Sequence, residues 1–306
     1  LIYARREMRV GPYAIGSLDV IVDGICRAEA DGFPTVWVHQ AHGPDPFVAM
    51  AVAARDAPRI EIGTALIPAV LRHPQALAAE ALTAQAALGG RLTLGVGMSH
   101  PHVVEGRLGL SYARPAEFMR EYLEALLPLL RGETADVRGK RLTMVGRLDV
   151  GDVTPPPVLI GALAPHMLKL AGRLADGTIT AATGPRGLAE HVVPSITKAA
   201  SDAGRPAPRI VSAVVACITD DADAARGRIA ATSKPYATMP AFIAMLEREG
   251  VASQVDLGLI GDEATARAQA QRFIDAGATE LAIREAPGTP EEAERTRAFL
   301  RSLLDE

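Results

Sequence analysis

Residues 60–97 read IEIGTALIPAVLRHPQALAAEALTAQAALGGRLTLGVG, and this stretch decides the fold. The apolar run over 60–67 suits a buried strand, since a strand covered on both faces loses its polar alternation. Pro74 then opens a helix at a position where its missing N–H costs nothing. Alanine and leucine carry that helix to Leu88, and Gly89-Gly90 supplies the residues that tolerate the left-handed turn ending it. A second apolar strand follows over 91–96. Two strands joined by so long a crossover lie parallel, because a hairpin needs only a few connecting residues.

The same alternation extends in both directions. Strand-like runs at 8–14, 35–38, 157–161, 177–181, 209–218 and 280–284 bring the set to eight, the number that closes a (β/α)8 TIM barrel. We therefore expect an α/β protein with a single barrel domain over 1–306. Residues 1–7, ahead of Met8, read as an extension. Residues 135–156 read as an insertion with hairpin-like turns at Gly139 and Gly146. The segment 223–261 exceeds one crossover and reads as a helical insertion, with Gly250 ending one helix. An open doubly wound sheet is the rival, but Ala14-Ile15-Gly16-Ser17 lacks the glycine fingerprint of its first turn, and Gly95 and Gly97 lack a third glycine.

Composition narrows the partners. A chain of 306 residues, 48% of them hydrophobic, buries one large core. Its net charge of -4 is spread along the sequence rather than gathered into a basic stripe, which argues against nucleic acid and membrane surfaces. No apolar run approaches the ~18 residues of a membrane helix, the amino terminus is charged, and Cys26 and Cys217 suit reduced thiols, so the expected location is cytoplasmic. A small molecule is the expected partner. Metal is not expected, because neither C-x-x-C nor H-E-x-x-H occurs. Met98-Ser99-His100-Pro101 breaks the G-x-S-x-G elbow, and no P-loop is present.

Three stretches then carry a resemblance: IEIGTALIPAVLRHP at 60–74, GGRLTLGVGMSH at 89–100 and PPVLIGALAPHMLKLAGRLADG at 156–177. In this order and spacing they resemble the luciferase-like monooxygenase superfamily, and within it the F420-dependent oxidoreductase branch. The resemblance spans nearly the whole chain from Met8. It implies a site at the carboxyl ends of the barrel strands, bound coenzyme F420 or FMN, hydride transfer to or from a small organic substrate, and a homodimer. It also implies a cis peptide at Ala65-Leu66, behind the coenzyme ring. An FMN-dependent two-component monooxygenase and a barrel that binds ligand without catalysis are the alternative readings.

Strand ends facing the mouth of a barrel are where polar residues tend to be functional. His39 and Gln40 follow the second strand, where many relatives have an acidic residue before histidine. This departure leaves His39 either as the proton-transfer group or, with Gln40, as a ligand for ring carbonyls. Trp37 reads as core. After the fourth strand, Gly97 lets backbone approach a flat ring, while Ser99 and His100 project into the mouth. The resemblance gives His100 proton work that relatives assign to a carboxylate; the alternative is a solvated loop histidine, which suits His102 better. For the coenzyme phosphate, helix amino ends offer unpaired N–H groups, either at Gly161-Ala162 or, as the better cradle, at Thr183-Gly184-Pro185-Arg186. An ordinary proline-entered helix start is the plainer reading of both. Arg284 either holds the anionic tail or pairs with a surface carboxylate.

Overall fold

The computed structural model describes residues 8–40, 43–233 and 239–305. The extension expected at 1–7 lies outside the described residues. The barrel strands are β1 (Arg9–Ala14), β2 (Thr35–Val38), β3 (Glu61–Thr64), β4 (Leu92–Gly97), β5 (Val158–Gly161), β6 (Gly177–Thr180), β7 (Arg209–Ile218) and β8 (Glu280–Glu285). Each pairs in parallel with its neighbour in sequence, and β8 returns to β1 with Arg9 opposite Glu280. The ring is closed, which excludes the open sheet.

Period-two geometry divides each strand between two environments. Leu92, Leu94 and Val96 of β4 point outward and are almost wholly buried under helices such as Pro74–Ala87. The inward set forms its own cluster of Trp37, Ala65, Leu159, Ile179, Val211 and Ala282, drawn from successive parts of the ring. Trp37 is fully buried, as its sequence context implies.

Below that cluster, charged side chains close the amino end of the barrel. Glu280 accepts from Thr35 Oγ1 at 2.5 Å, Trp37 Nε1 at 2.9 Å, Arg9 Nε at 3.0 Å and Arg209 Nη2 at 2.5 Å. Glu61 accepts from Arg209 Nη1 at 2.6 Å and Thr93 Oγ1 at 2.6 Å. Burial alone would raise the Glu61 pKa, yet Arg209, the Thr93 hydroxyl and Arg9 together hold it below the ordinary carboxylate value. A buried pair of this kind loses about 3–5 kcal/mol when one partner is removed, because the other is left charged in a poorly solvating interior.

Three features of the observed elements matter. The third strand does not run unbroken over 60–67: β3 ends at Thr64, the Ala65-Leu66 peptide is cis, and Ile67–Pro68 resumes by pairing with β4. The insertion after the helix Pro115–Leu130 is an antiparallel hairpin, Ala135–Arg138 with Thr143–Gly146. Its turn is held by the Glu121 carboxylate, which accepts from the N–H groups of Lys140 and Arg141 at 3.1 and 2.9 Å. The segment 223–261 is not wholly helical. After helices Ala222–Ser233 and Pro240–Glu249 it ends in a strand, Leu259–Gly261, which pairs with residues 216–218 of β7. Ten residues make β7 longer than its neighbours, and its protruding edge needs that partner. Gly250, at φ +79°, ends the second helix as expected.

Candidate active site

At the carboxyl end of the barrel, half-buried residues interrupt otherwise buried strands. They are Tyr13, His39, Leu66, Gly161, Ala181, Ala213 and Arg284, together with Ser99 and His100 just beyond β4. Tyr13 and Leu66 pack on the inward cluster, and His39, Gly161, Ala181, Ala213 and Arg284 each lie two residues past one of its members, hence on the same face. The mouth is asymmetric. Gly161, Ala181 and Ala213 on adjacent strands form a floor without long side chains, whereas Arg284, Tyr13 and His39 form a polar wall on β8, β1 and the end of β2. Ser99 (φ 60°) and Ala182 (φ 50°) adopt left-handed backbone beside this mouth, a conformation that concentrates at functional loops.

The structure brings His39 and His100 near one another. Burial pushes the His100 pKa down to about 4, helped by the charges of His102 and His39. His100 is therefore a neutral imidazole near pH 7. Its ring stacks on His102 with centroids 5.9 Å apart and meets the edge of Phe242 at 5.8 Å. His102 is exposed, as expected of a solvated histidine, and one face of its ring stacks on His100.

Other expected residues are placed differently. Gln40, one residue past inward-facing His39, turns away, and its Oε1 accepts from Arg72 Nη1 at 2.7 Å. Arg72 also pairs with Asp45 and Glu80, so Gln40 belongs to a network outside the mouth. Ala162 is buried in the outer core, on the opposite face from Gly161. Gly97 and Gly161 lack side chains for a packing reason: a Cβ at either would lie 2.8 or 2.6 Å from Cδ1 of Leu66. Leu66 fills that space, and it is Leu66 that presents a surface to a ligand there.

The expected phosphate cradle holds an anion of the protein's own. Glu249, the last residue of the helix Pro240–Glu249, reaches the turn after β6, where its carboxylate accepts from Gly187 N at 2.9 Å and Arg186 N at 3.3 Å. A side chain on Gly184 would collide with that carboxylate. Thr183 is buried and spends its hydroxyl proton on the Ala181 carbonyl at 3.0 Å. The Arg186 guanidinium lies along the helix toward Glu190 at 3.2 Å. In this turn it is backbone N–H groups, and not the Thr183 hydroxyl or the Arg186 side chain, that hold a carboxylate of the chain itself. Pro185 enters the helix as expected.

Sequence reading missed Tyr13 as a wall residue, along with Phe242 and Glu249. Strand parity from Gly11 and Trp37 would have found Tyr13. Phe242 and Glu249 share a helix face with Met245, which packs against Gly187, and no local pattern shows where that face docks.

A closed (β/α)8 barrel with a mouth of this construction defines a class, and the family comparison agrees with it. The luciferase-like monooxygenase model matches residues 2–305, and the chain belongs to that family. Among its relatives, a 5,10-methylenetetrahydromethanopterin reductase of Methanolobus tindarius is 30% identical over 243 residues, 76% of this chain and 72% of that protein. Among solved structures, the coenzyme F420 dependent tetrahydromethanopterin reductase of Methanopyrus kandleri superposes with a TM-score of 0.78 at 20% identity, covering 99% of this chain and 98% of that one. An F420-dependent secondary alcohol dehydrogenase, solved with an F420-acetone adduct, superposes with a TM-score of 0.81 at 17% identity over 98% of each chain. At those identities the structural likeness speaks for the fold.

Proposed function

We propose that this protein is an oxidoreductase that uses coenzyme F420 to move hydride to or from a small organic substrate. The observation that carries the reading is the asymmetric mouth, where a floor of Gly161, Ala181 and Ala213 shares the carboxyl end of the barrel with the imidazoles of His39 and His100. Such a floor fits a flat ring, because its own side chains are small and the apolar Leu66 supplies the surface over Gly161. A relative 32% identical over 176 residues, 53% of this chain, is named a putative coenzyme F420-dependent oxidoreductase, which supports F420 over FMN.

Bound there, the coenzyme supplies the hydride-accepting or hydride-donating carbon. The chain's own residues bind, orient and handle protons. Leu66 and the floor residues would set the ring plane, and the N–H groups of Arg186 and Gly187 would take a phosphate once Glu249 withdraws. His100, neutral at pH 7, would donate a hydrogen bond or accept a proton at one ring nitrogen. Phe242, packed on His100, would help exclude water. The reading includes a cytoplasmic homodimer, with the exposed Val48 and Val52 of the helix Pro46–Ala53 as contact candidates.

Titrating the purified protein with coenzyme F420 and with FMN, followed by absorbance and fluorescence, tests the reading. We expect F420 to bind at least tenfold more tightly. Equal or reversed affinities would overturn it in favour of the flavin monooxygenase.

A further inference from the structure

Arg284 has a definite place in the mouth. On β8, Glu280 points into the barrel bottom and Ala282 into the inward cluster, while Ala286 packs beneath the helix Ala222–Ser233 together with Cys217 and Ile260. Arg284 lies between them on the same inward face. The alternate residue Glu285 points outward to Arg297, at 2.9 Å. Pro12 pairs with Ile283, so Tyr13 on β1 stands next to Arg284. Burial keeps the Tyr13 phenol protonated, raising its pKa against the lowering charge of Arg284.

The wall therefore presents two hydrogen-bond donors side by side, one of them a permanent cation with a planar fork. In an eight-membered ring β8 lies opposite β4, so Arg284 faces the segment of Gly97 to His100 across the mouth. The oxyanion-binding turn at Arg186 and Gly187 follows β6 and stands apart from it. This geography sets Arg284 apart from that turn.

We propose that Arg284 and Tyr13 form a substrate subsite that recognises a carboxylate. A guanidinium fork matches two carboxylate oxygens, and the adjacent phenol adds a third donor. The inference rests on the reading of this mouth as a coenzyme and substrate site, and it deepens that reading by naming the substrate class.

The test compares benzoate with its neutral isostere benzamide, titrated by calorimetry into F420-loaded wild-type protein and into Arg284→Met, Arg284→Lys and Tyr13→Phe variants. We expect wild type to favour benzoate at least tenfold. Arg284→Met should lose that preference, Arg284→Lys should keep part of it, and Tyr13→Phe should lower it several-fold, all with F420 affinity within threefold of wild type. No preference in wild type, or a preference that survives in Arg284→Met, would overturn the proposal. Loss of F420 binding in Arg284→Met with unchanged discrimination in Arg284→Lys would also overturn it, by assigning the arginine to the coenzyme. If wild type binds no F420, the functional reading fails; the same comparison on coenzyme-free protein then decides the subsite alone. Thermal melts establish that each variant is folded.

Discussion

His100 shows how one side chain ties the site to the stability of the fold. Its pKa of about 4 lies below the ordinary 6.5, so between these values the unfolded chain takes up a proton that the folded chain refuses. Stability therefore falls as pH drops from about 6.5 toward about 4, and this contribution levels off below. In a carbon-detected NMR titration the His100 ring resonances should stay unshifted from pH 8 to pH 5, and His100→Gln should show a smaller loss of melting temperature between pH 7 and pH 5 than wild type. A ring that titrates near 6.5 would show that the imidazole is solvated. The position of His100 was legible because it follows a strand and precedes a proline-entered turn. The same rule misplaced Gln40 and Ala162: each sits one residue past an inward-facing neighbour, and a strand sends that next side chain to the other face.

Helices add what strand ends cannot. The helix Pro240–Glu249 spans the mouth by one face, with Phe242 on His100, Met245 at Gly187 and Glu249 on the amides after β6. The carboxylate competes with any phosphate for those N–H groups. Glu249→Gln keeps the shape but removes the charge that strengthens both hydrogen bonds, which is worth about 1 kcal/mol for bonds of this kind. We expect this variant to bind coenzyme F420 about three- to tenfold more tightly in a fluorescence titration. Unchanged or weaker binding would mean that Glu249 is a permanent cap and that the phosphate docks elsewhere. Glycine at 184 is explained on the same ground, since a larger residue there would first displace Glu249. None of this was readable from residues 223–261, where period and breakers announce helices but not their docking. The barrel elements were readable, because each strand and its following helix form locally and repeat; the short strand 259–261 was not, being called for by the length of β7 rather than by its own composition.

For the whole molecule, an open question of assembly meets a definite surface. Val48 and Val52, one helical turn apart, are 56% and 53% exposed on a helix whose other face is core. In the proposed dimer these valines are covered. Light scattering of wild type should give twice the mass of the chain, and Val52→Asp should raise the dissociation constant at least tenfold, since burying a lone carboxylate in an apolar contact is costly. A wild type that stays monomeric at micromolar concentration would refute the dimer, and a Val52→Asp variant with unaltered association would move the contact away from this helix.

The ion cluster of Arg9, Glu61, Arg209 and Glu280 makes the barrel a vessel with one opening. Whatever enters must leave by the same door. In the proposed reaction coenzyme and substrate share that entrance, so the one bound deeper must arrive first and depart last. Turnover then becomes a queue, in which the outer molecule holds the inner one until it leaves.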